Sequence, residues 1–121
     1  MTVAGINGVS GGARSLLSYP TAISVMSNGS MYILDTSNYR VLKWQVGEPL
    51  GYVVAGGAGN GAAFNQIGAS YQLFIDNQFN VYVSENANHR VTRWSTTNST
   101  WGFLVRFSKD LLKKSSFFSL K

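Results

Sequence analysis

Apolar and polar positions alternate along this chain in short runs broken by turn residues. Ile23 and Val25 fall at alternate positions in one run, and Leu73 and Ile75 in another, the period-two spacing of a half-buried strand. Each run leads into a second, residues 31–34 and 81–84, rich in Tyr and β-branched side chains. A third strand is predicted over 40–44 and 90–94, and a fourth over 52–55 and 103–105. Ser27-Asn28-Gly29 between the first two strands is a hairpin signal, because Asn and Gly accept the positive φ of tight turns. The counterpart Asn77-Gln78-Phe79-Asn80 lacks Gly and reads as a poorer turn. No long helical period is present, so the chain reads as all-β.

The two sets of strands are copies of one unit. Met31-Tyr32-Ile33-Leu34-Asp35-Thr36-Ser37-Asn38-Tyr39-Arg40-Val41-Leu42-Lys43-Trp44 aligns with Val81-Tyr82-Val83-Ser84-Glu85-Asn86-Ala87-Asn88-His89-Arg90-Val91-Thr92-Arg93-Trp94 at a spacing of 50. Five of the fourteen positions are identical and four more keep their chemical type, enough to establish a repeat. Upstream, Thr2-Val3-Ala4-Gly5 answers Val53-Val54-Ala55-Gly56 at a spacing of 51, so one residue has been lost between the two anchors. Four strands per repeat of this length, without helices, is the pattern of a propeller blade.

The runs from Tyr32 to Val41 and from Tyr82 to Val91 resemble the core of NHL repeats, the second containing Asn88-His89-Arg90. Val54-Ala55-Gly56-Gly57 followed by a glycine-rich loop, and Tyr19-Pro20-Thr21 ahead of the first strand pair, are similar to the family's other signatures. The resemblance covers about residues 2–105. It implies NHL-type β-propeller architecture, with two four-stranded antiparallel blades of a ring that is usually six-bladed. Blade one is expected at about 20–56 and blade two at about 70–106, with residues 2–5 as an extra outer strand. The third repeat starts at Trp101-Gly102-Phe103-Leu104-Val105 and then loses the pattern, so 106–121 is expected to be a basic, non-repeat tail and the chain a fragment of a larger protein. Residues 110–114 fit either a short amphipathic helix or a frayed tail.

Charge sharpens this division. The 121 residues carry ten Lys and Arg against five Asp and Glu, but Arg106, Lys109, Lys113, Lys114 and Lys121 all lie in the tail. The body, 1–105, therefore has a net charge of only +1, unlike a nucleic-acid domain with a basic face. The absence of Cys excludes disulfides and thiolate zinc sites. No apolar run approaches the roughly 20 residues that span a bilayer as a helix.

Few residues invite chemistry. Asp35 with Arg40, and Glu85 with Arg90, can meet across the turn between the second and third strands as charge-assisted pairs, with bidentate geometry open to the guanidinium. Asn38 and Asn88 suit that turn, since Asn tolerates the left-handed region. Recurrence at one blade position marks all six as structural, and the same logic assigns Trp44 and Trp94 to packing between blades. Gly8-Val9-Ser10-Gly11-Gly12 matches the nucleophile pattern G-x-S-x-G, with Asp76 and His89 following in hydrolase order. That mechanism needs a strand, a sharp turn and a helix, and no helix is readable after Ser10. His89 is the only His, too little for the several-histidine metal site of propeller lyases that resemble this family. No catalytic residue, metal or cofactor is expected.

The resemblance implies a non-catalytic interaction or scaffold module that presents loops to a protein partner. Two alternatives stand beside it: a single-stranded RNA-binding propeller, as some relatives of such repeats are, and a fragment of a propeller lyase. Lys43 and Arg93 flank Trp44 and Trp94, but strand alternation sends cation and indole to opposite faces, which weighs against a joint RNA platform. Two blades leave two blade faces uncovered, so a homo-oligomer that completes a ring is also expected.

Overall fold

The computed structural model describes residues 1–95 and the backbone of residues 102–104. It is all-β. Strands β1 (Pro20–Val25), β2 (Ser30–Asp35), β3 (Arg40–Gln45) and β4 (Tyr52–Gly56) form one antiparallel sheet in chain order. Strands β5 (Gln72–Ile75), β6 (Val81–Glu85), β7 (Arg90–Trp94) and β8 (Gly102–Leu104) form a second in the same order. The register repeats as well, with Asp35 opposite Arg40 in the first sheet and Glu85 opposite Arg90 in the second.

Alternation along β2 explains how the sheets stack. Tyr32 and Leu34 point to one side and join Val41, Ala55, Ile67, Ile75, Val81, Val83 and Trp94 in a core that spans both sheets. Met31 and Ile33 point to the other side, where they meet Leu42 and Trp44, with Ala4 and Leu17 packed over them. Every residue of β2 is buried, because the strand has an apolar layer on each face. Trp94 thus lies between the sheets. Trp44 lies instead on the other face, in the cluster that Ala4 and Leu17 pack against, with Gly51 close to its ring.

Residues 2–5 do not form the expected outer strand; 3–5 run as bends. Their counterpart Val53–Gly56 is a strand because β3 lies beside it to complete the ladder, whereas residues 2–5 have no strand beside them among the described residues. The packing survives without the ladder. Gly5 (φ 76) and Gly56 (φ 65) share one left-handed conformation, and a Cβ on either would press on Leu17 or Ile67, residues 50 apart. The lost residue can also be placed. Gly8 and Gly59, 51 apart, both have positive φ, while Gly11 and Gly61, 50 apart, accept equivalent bonds. Val9-Ser10 in the first repeat is therefore reduced to Asn60 in the second.

The turns correct two further expectations. In the 3-10 turns Thr36–Asn38 and Asn86–Asn88, the left-handed residue is Tyr39 (φ 52) or His89 (φ 53), not Asn. The asparagines sit inside the turn because their amides are engaged with the preceding loop. In the β5–β6 turn, Phe79 (φ 64) takes the place that Gly29 (φ 87) holds between β1 and β2. What rescues that turn is Asp76, whose carboxylate accepts the backbone N–H of Gln78 and Asn80, the Asn80 amide and the Tyr82 hydroxyl. The tail 106–121, with its candidate helix at 110–114, lies outside the described residues.

Candidate functional site

The acid at the end of β2 or β6 and the Arg that opens β3 or β7 meet as the register requires, and the turn between them brings in the Asn. In the first repeat, Asp35 Oδ2 accepts from Arg40 Nε and Asn38 Nδ2, each at 2.8 Å, while Oδ1 accepts from the Ser18 backbone N–H at 2.6 Å. The rest of the guanidinium turns away from the carboxylate. Its Nη1 donates to the Gly12 carbonyl at 2.7 Å and its Nη2 to those of Ala13 and Leu16 at 2.9 and 3.1 Å. Asn38 adds a bond to the Gly11 carbonyl at 2.8 Å. The pair is therefore not bidentate; Arg40 spends its fork on the carbonyls of the glycine-rich loop, and the group clamps that loop to the sheet.

The second repeat builds the same device from positions 50 residues on. Glu85 Oε2 accepts from Arg90 Nε at 3.1 Å, and Oε1 accepts from Asn88 Nδ2 at 2.8 Å and Gly68 N–H at 3.1 Å. Arg90 reaches the carbonyls of Ala62 and Gln66, and Asn88 that of Gly61. One difference is coupled across two positions. Glu85 is a methylene longer than Asp35, and its Oε2 also accepts from Thr92 Oγ1 at 2.7 Å, which in turn accepts from Trp94 Nε1 at 3.0 Å. The first repeat has Leu42 at that place, and Trp44 Nε1 donates to the Glu48 carbonyl at 2.7 Å. The short acid goes with an apolar neighbour and the long acid with a hydroxyl.

Asp35 and Glu85 are buried, and burying a carboxylate is tolerable only when its oxygens are satisfied. Both are. Among the described residues no buried side-chain nitrogen or oxygen lacks a partner.

The other candidates are not brought together. Asp76 is committed to the turn that precedes β6, while His89 follows the turn after β6, at the opposite end of that strand. His89 is exposed, and Ser10 sits in the N-terminal loop, bridged to Leu17. No group of three or more His, Asp or Glu side chains among the described residues could hold a metal ion. Lys43 stands over the ring of Tyr32 at 5.8 Å, whereas its neighbour Trp44 is buried on the other face. Arg93 is opposite Tyr82 in the register. Burial raises the Tyr32 phenol above its ordinary value. Tyr82 is raised by burial first and then by the charge of Asp76 and the hydrogen bond to it, against a smaller opposing effect of Arg93. Among the described residues no helix is long and apolar enough to cross a membrane.

Sequence reasoning missed the turn-stapling role of Asp76 and the contact that Thr92 makes with Glu85. For Asp76 a signal existed, an Asp four residues ahead of Asn80 across a chain reversal, which is the spacing of a side-chain-stapled turn. For Thr92 the signal was the paired exchange of Asp35 with Leu42 for Glu85 with Thr92. No known protein-family model matches the chain, and no curated protein matches it in sequence.

Proposed function

We propose that the chain is a two-blade section of an NHL-type β-propeller that works as a non-catalytic interaction module, presenting its loops to a protein partner as part of a larger assembly. The observation that carries this reading is the repetition of the loop clamp at positions 50 apart, with the Arg Nε on the acid and the other guanidinium nitrogens on loop carbonyls in both copies. A catalytic group is needed once, at one place; a device present in every copy serves the copy itself. The acids, amides and guanidiniums that recur are consumed in holding a loop, which leaves the loop surfaces as the variable part.

The test is a pair of assays on the full chain. Fluorescence anisotropy with a labelled single-stranded oligouridine should detect no binding at low salt. Binding that weakens steeply with salt and is lost in Lys43→Ala would replace this reading with the RNA one. Ester hydrolysis abolished by Ser10→Ala would replace it with an enzymatic one.

A further inference from the structure

Residues 2–5 hold the place of a fourth strand without being one. Thr2-Val3-Ala4-Gly5 answers Val53-Val54-Ala55-Gly56 of β4 at a spacing of 51, and its contacts answer too. Ala55 and Ile67 join the core between the sheets, while Ala4 and Leu17 pack against Met31, Ile33, Leu42 and Trp44 on the outward face of the first sheet. What separates the two segments is a ladder. β4 pairs with β3 through Gly56, Ala55, Val53 and Tyr52. Among the described residues, the backbone of 2–5 makes no backbone hydrogen bond. A row of unpaired N–H and C=O groups already held against an apolar face is a site for an added strand.

The face beside that segment is open on the β1 side. Ile23 lies opposite Ile33 and Val25 opposite Met31 in the β1–β2 ladder, so the four share the outward face. Met31 and Ile33 are each 4% exposed, but Ile23 is 57% and Val25 63% exposed. Their counterparts 50 residues on, Leu73 and Ile75, pack into the core between the sheets, where β1 and β2 lie against β5. A groove of about 380 Å³ marks the open part, lined by Val3, Ala4, Leu17, Ile23 and Ile33 among others. Within the internal stack the corresponding cover is Tyr32, Leu34 and Val41, from the second and third strands of the neighbouring sheet. An apolar face covered only where a fourth strand belongs lacks the other three.

We propose that the outward face of the first sheet receives a three-stranded antiparallel sheet of a partner protein, and that residues 2–5 become the fourth strand of that sheet. The missing cover sets the partner's chemistry. Its middle strand presents an aromatic and an aliphatic side chain two residues apart, as Tyr32 and Leu34 do, and its third strand a β-branched one, as Val41 does. That third strand runs antiparallel to residues 2–5 and pairs with Gly5, Ala4 and Thr2, the positions that answer Gly56, Ala55 and Val53. A second copy of this chain does not fit, because each of its sheets already has a fourth strand in the place that residues 2–5 would take. The docking rests on the internal stack and is independent of the loop-presenting role.

The experiment supplies such a sheet within one polypeptide. A copy of residues 6–51 is placed ahead of Met1 of the full chain, so that the copy's Gly51 leads into residues 2–5 as Gly51 leads into β4, and the segment 2–5 occurs once. Amide hydrogen exchange read by mass spectrometry follows that segment, far-UV circular dichroism follows folding, and light scattering after size exclusion gives the mass. The full chain should run as a monomer near 13.2 kDa with fast exchange at 2–5. In the extended chain that exchange should slow by at least about tenfold. Val25→Lys in the original first sheet, at a position open to solvent, should leave the full chain folded and abolish the slowing in the extended one. Exchange that stays fast in the extended chain overturns the proposal, whether the copy folds without pairing or adds no β signal at all. Slowing that survives Val25→Lys overturns it too, because the strand would then pair without the face. So does a full chain that runs as a dimer and is returned to monomer by Val25→Lys, since a second copy would then be the occupant.

Discussion

Replacing Arg40 with Met is the most direct test of the loop clamp. Asp35 has no exposed surface and the Arg40 side chain is 7% exposed, with Nε to Oδ2 at 2.8 Å. Removing one partner of a buried ion pair costs about 3–5 kcal/mol, because the remaining charge stays buried. Two features pull the cost toward the lower end. Asp35 keeps the Ser18 N–H and the Asn38 amide, and Gly12 and Ala13 are exposed, so water can reach their orphaned carbonyls. A loss of about 3 kcal/mol is expected for Arg40→Met. The Arg90 side chain is 18% exposed with a 3.1 Å bond, so Arg90→Met should cost about 2 kcal/mol after allowance for solvent. Arg40→Lys keeps the charge but cannot fork onto three carbonyls, and should fall between wild type and Met.

Urea unfolding followed by tryptophan fluorescence reads these changes, since Trp44 and Trp94 are both buried. It should be run at one fixed protein concentration, because self-association would add to stability. Against a typical domain stability of about 5–15 kcal/mol, a loss of about 3 moves the midpoint far outside error. The double variant Asp35→Asn with Arg40→Met should show a coupling of about 1–3 kcal/mol between the two positions. An Arg40→Met chain within about 0.5 kcal/mol of wild type, or a coupling near zero, would refute the view that the pair holds the loop.

Other parts of the structure yield further expectations. Glu85→Asp should cost about 1–2 kcal/mol in the same unfolding assay by stranding the buried Thr92 hydroxyl, and adding Thr92→Leu should not recover the loss, because it takes the acceptor from the buried Trp94 Nε1; full recovery would contradict the account. Gly56→Ala should destabilise by about 3 kcal/mol, since its Cβ would lie 2.5 Å from the Tyr39 carbonyl oxygen and 2.8 Å from Ile67 at φ +65; a wild-type midpoint would show that the β4 end can yield. Burial raises the Tyr32 phenol, so the protonated form is favoured in the folded state: stability is full below a pH of about 10 and falls as pH rises through the raised value. Tyr32→Phe should flatten that alkaline fall in a series of urea midpoints, and an unchanged slope would contradict the assignment.

The strands were legible because the repeat supplies two readings of each. Ile23 and Val25 alone are a weak pattern; paired with Leu73 and Ile75 at one spacing they define a strand twice. Features that depend on a neighbour were not legible. Residues 2–5 carry the same letters as the end of β4, yet a strand exists only beside another strand, and composition does not report that. The acid–arginine pair was legible as a contact but not as a clamp, since the partners of the guanidinium are backbone carbonyls, which have no sequence signature. Asn38 belongs to the turn that its residue type suggests, but for a different reason. Its side chain holds the loop, and Tyr39 carries the left-handed backbone. Phe79 at positive φ was unreadable on similar grounds, because its conformation is maintained by Asp76.

The clamp also explains how the repeat tolerates change. The loop ahead of the first sheet has one residue more than the loop ahead of the second, yet Arg40 and Arg90 find carbonyls 28 and 24 residues upstream in both cases. Insertion falls at Val9-Ser10, ahead of Gly11 and every other carbonyl that the clamp holds. The acid varies too, but Asp35 with Leu42 and Glu85 with Thr92 each leave no buried polar atom unpaired among the described residues. What is constant in both copies is the geometry that fixes the loop's return to the sheet. What varies is the loop's outer segment, at Val9-Ser10 in one copy and Asn60 in the other.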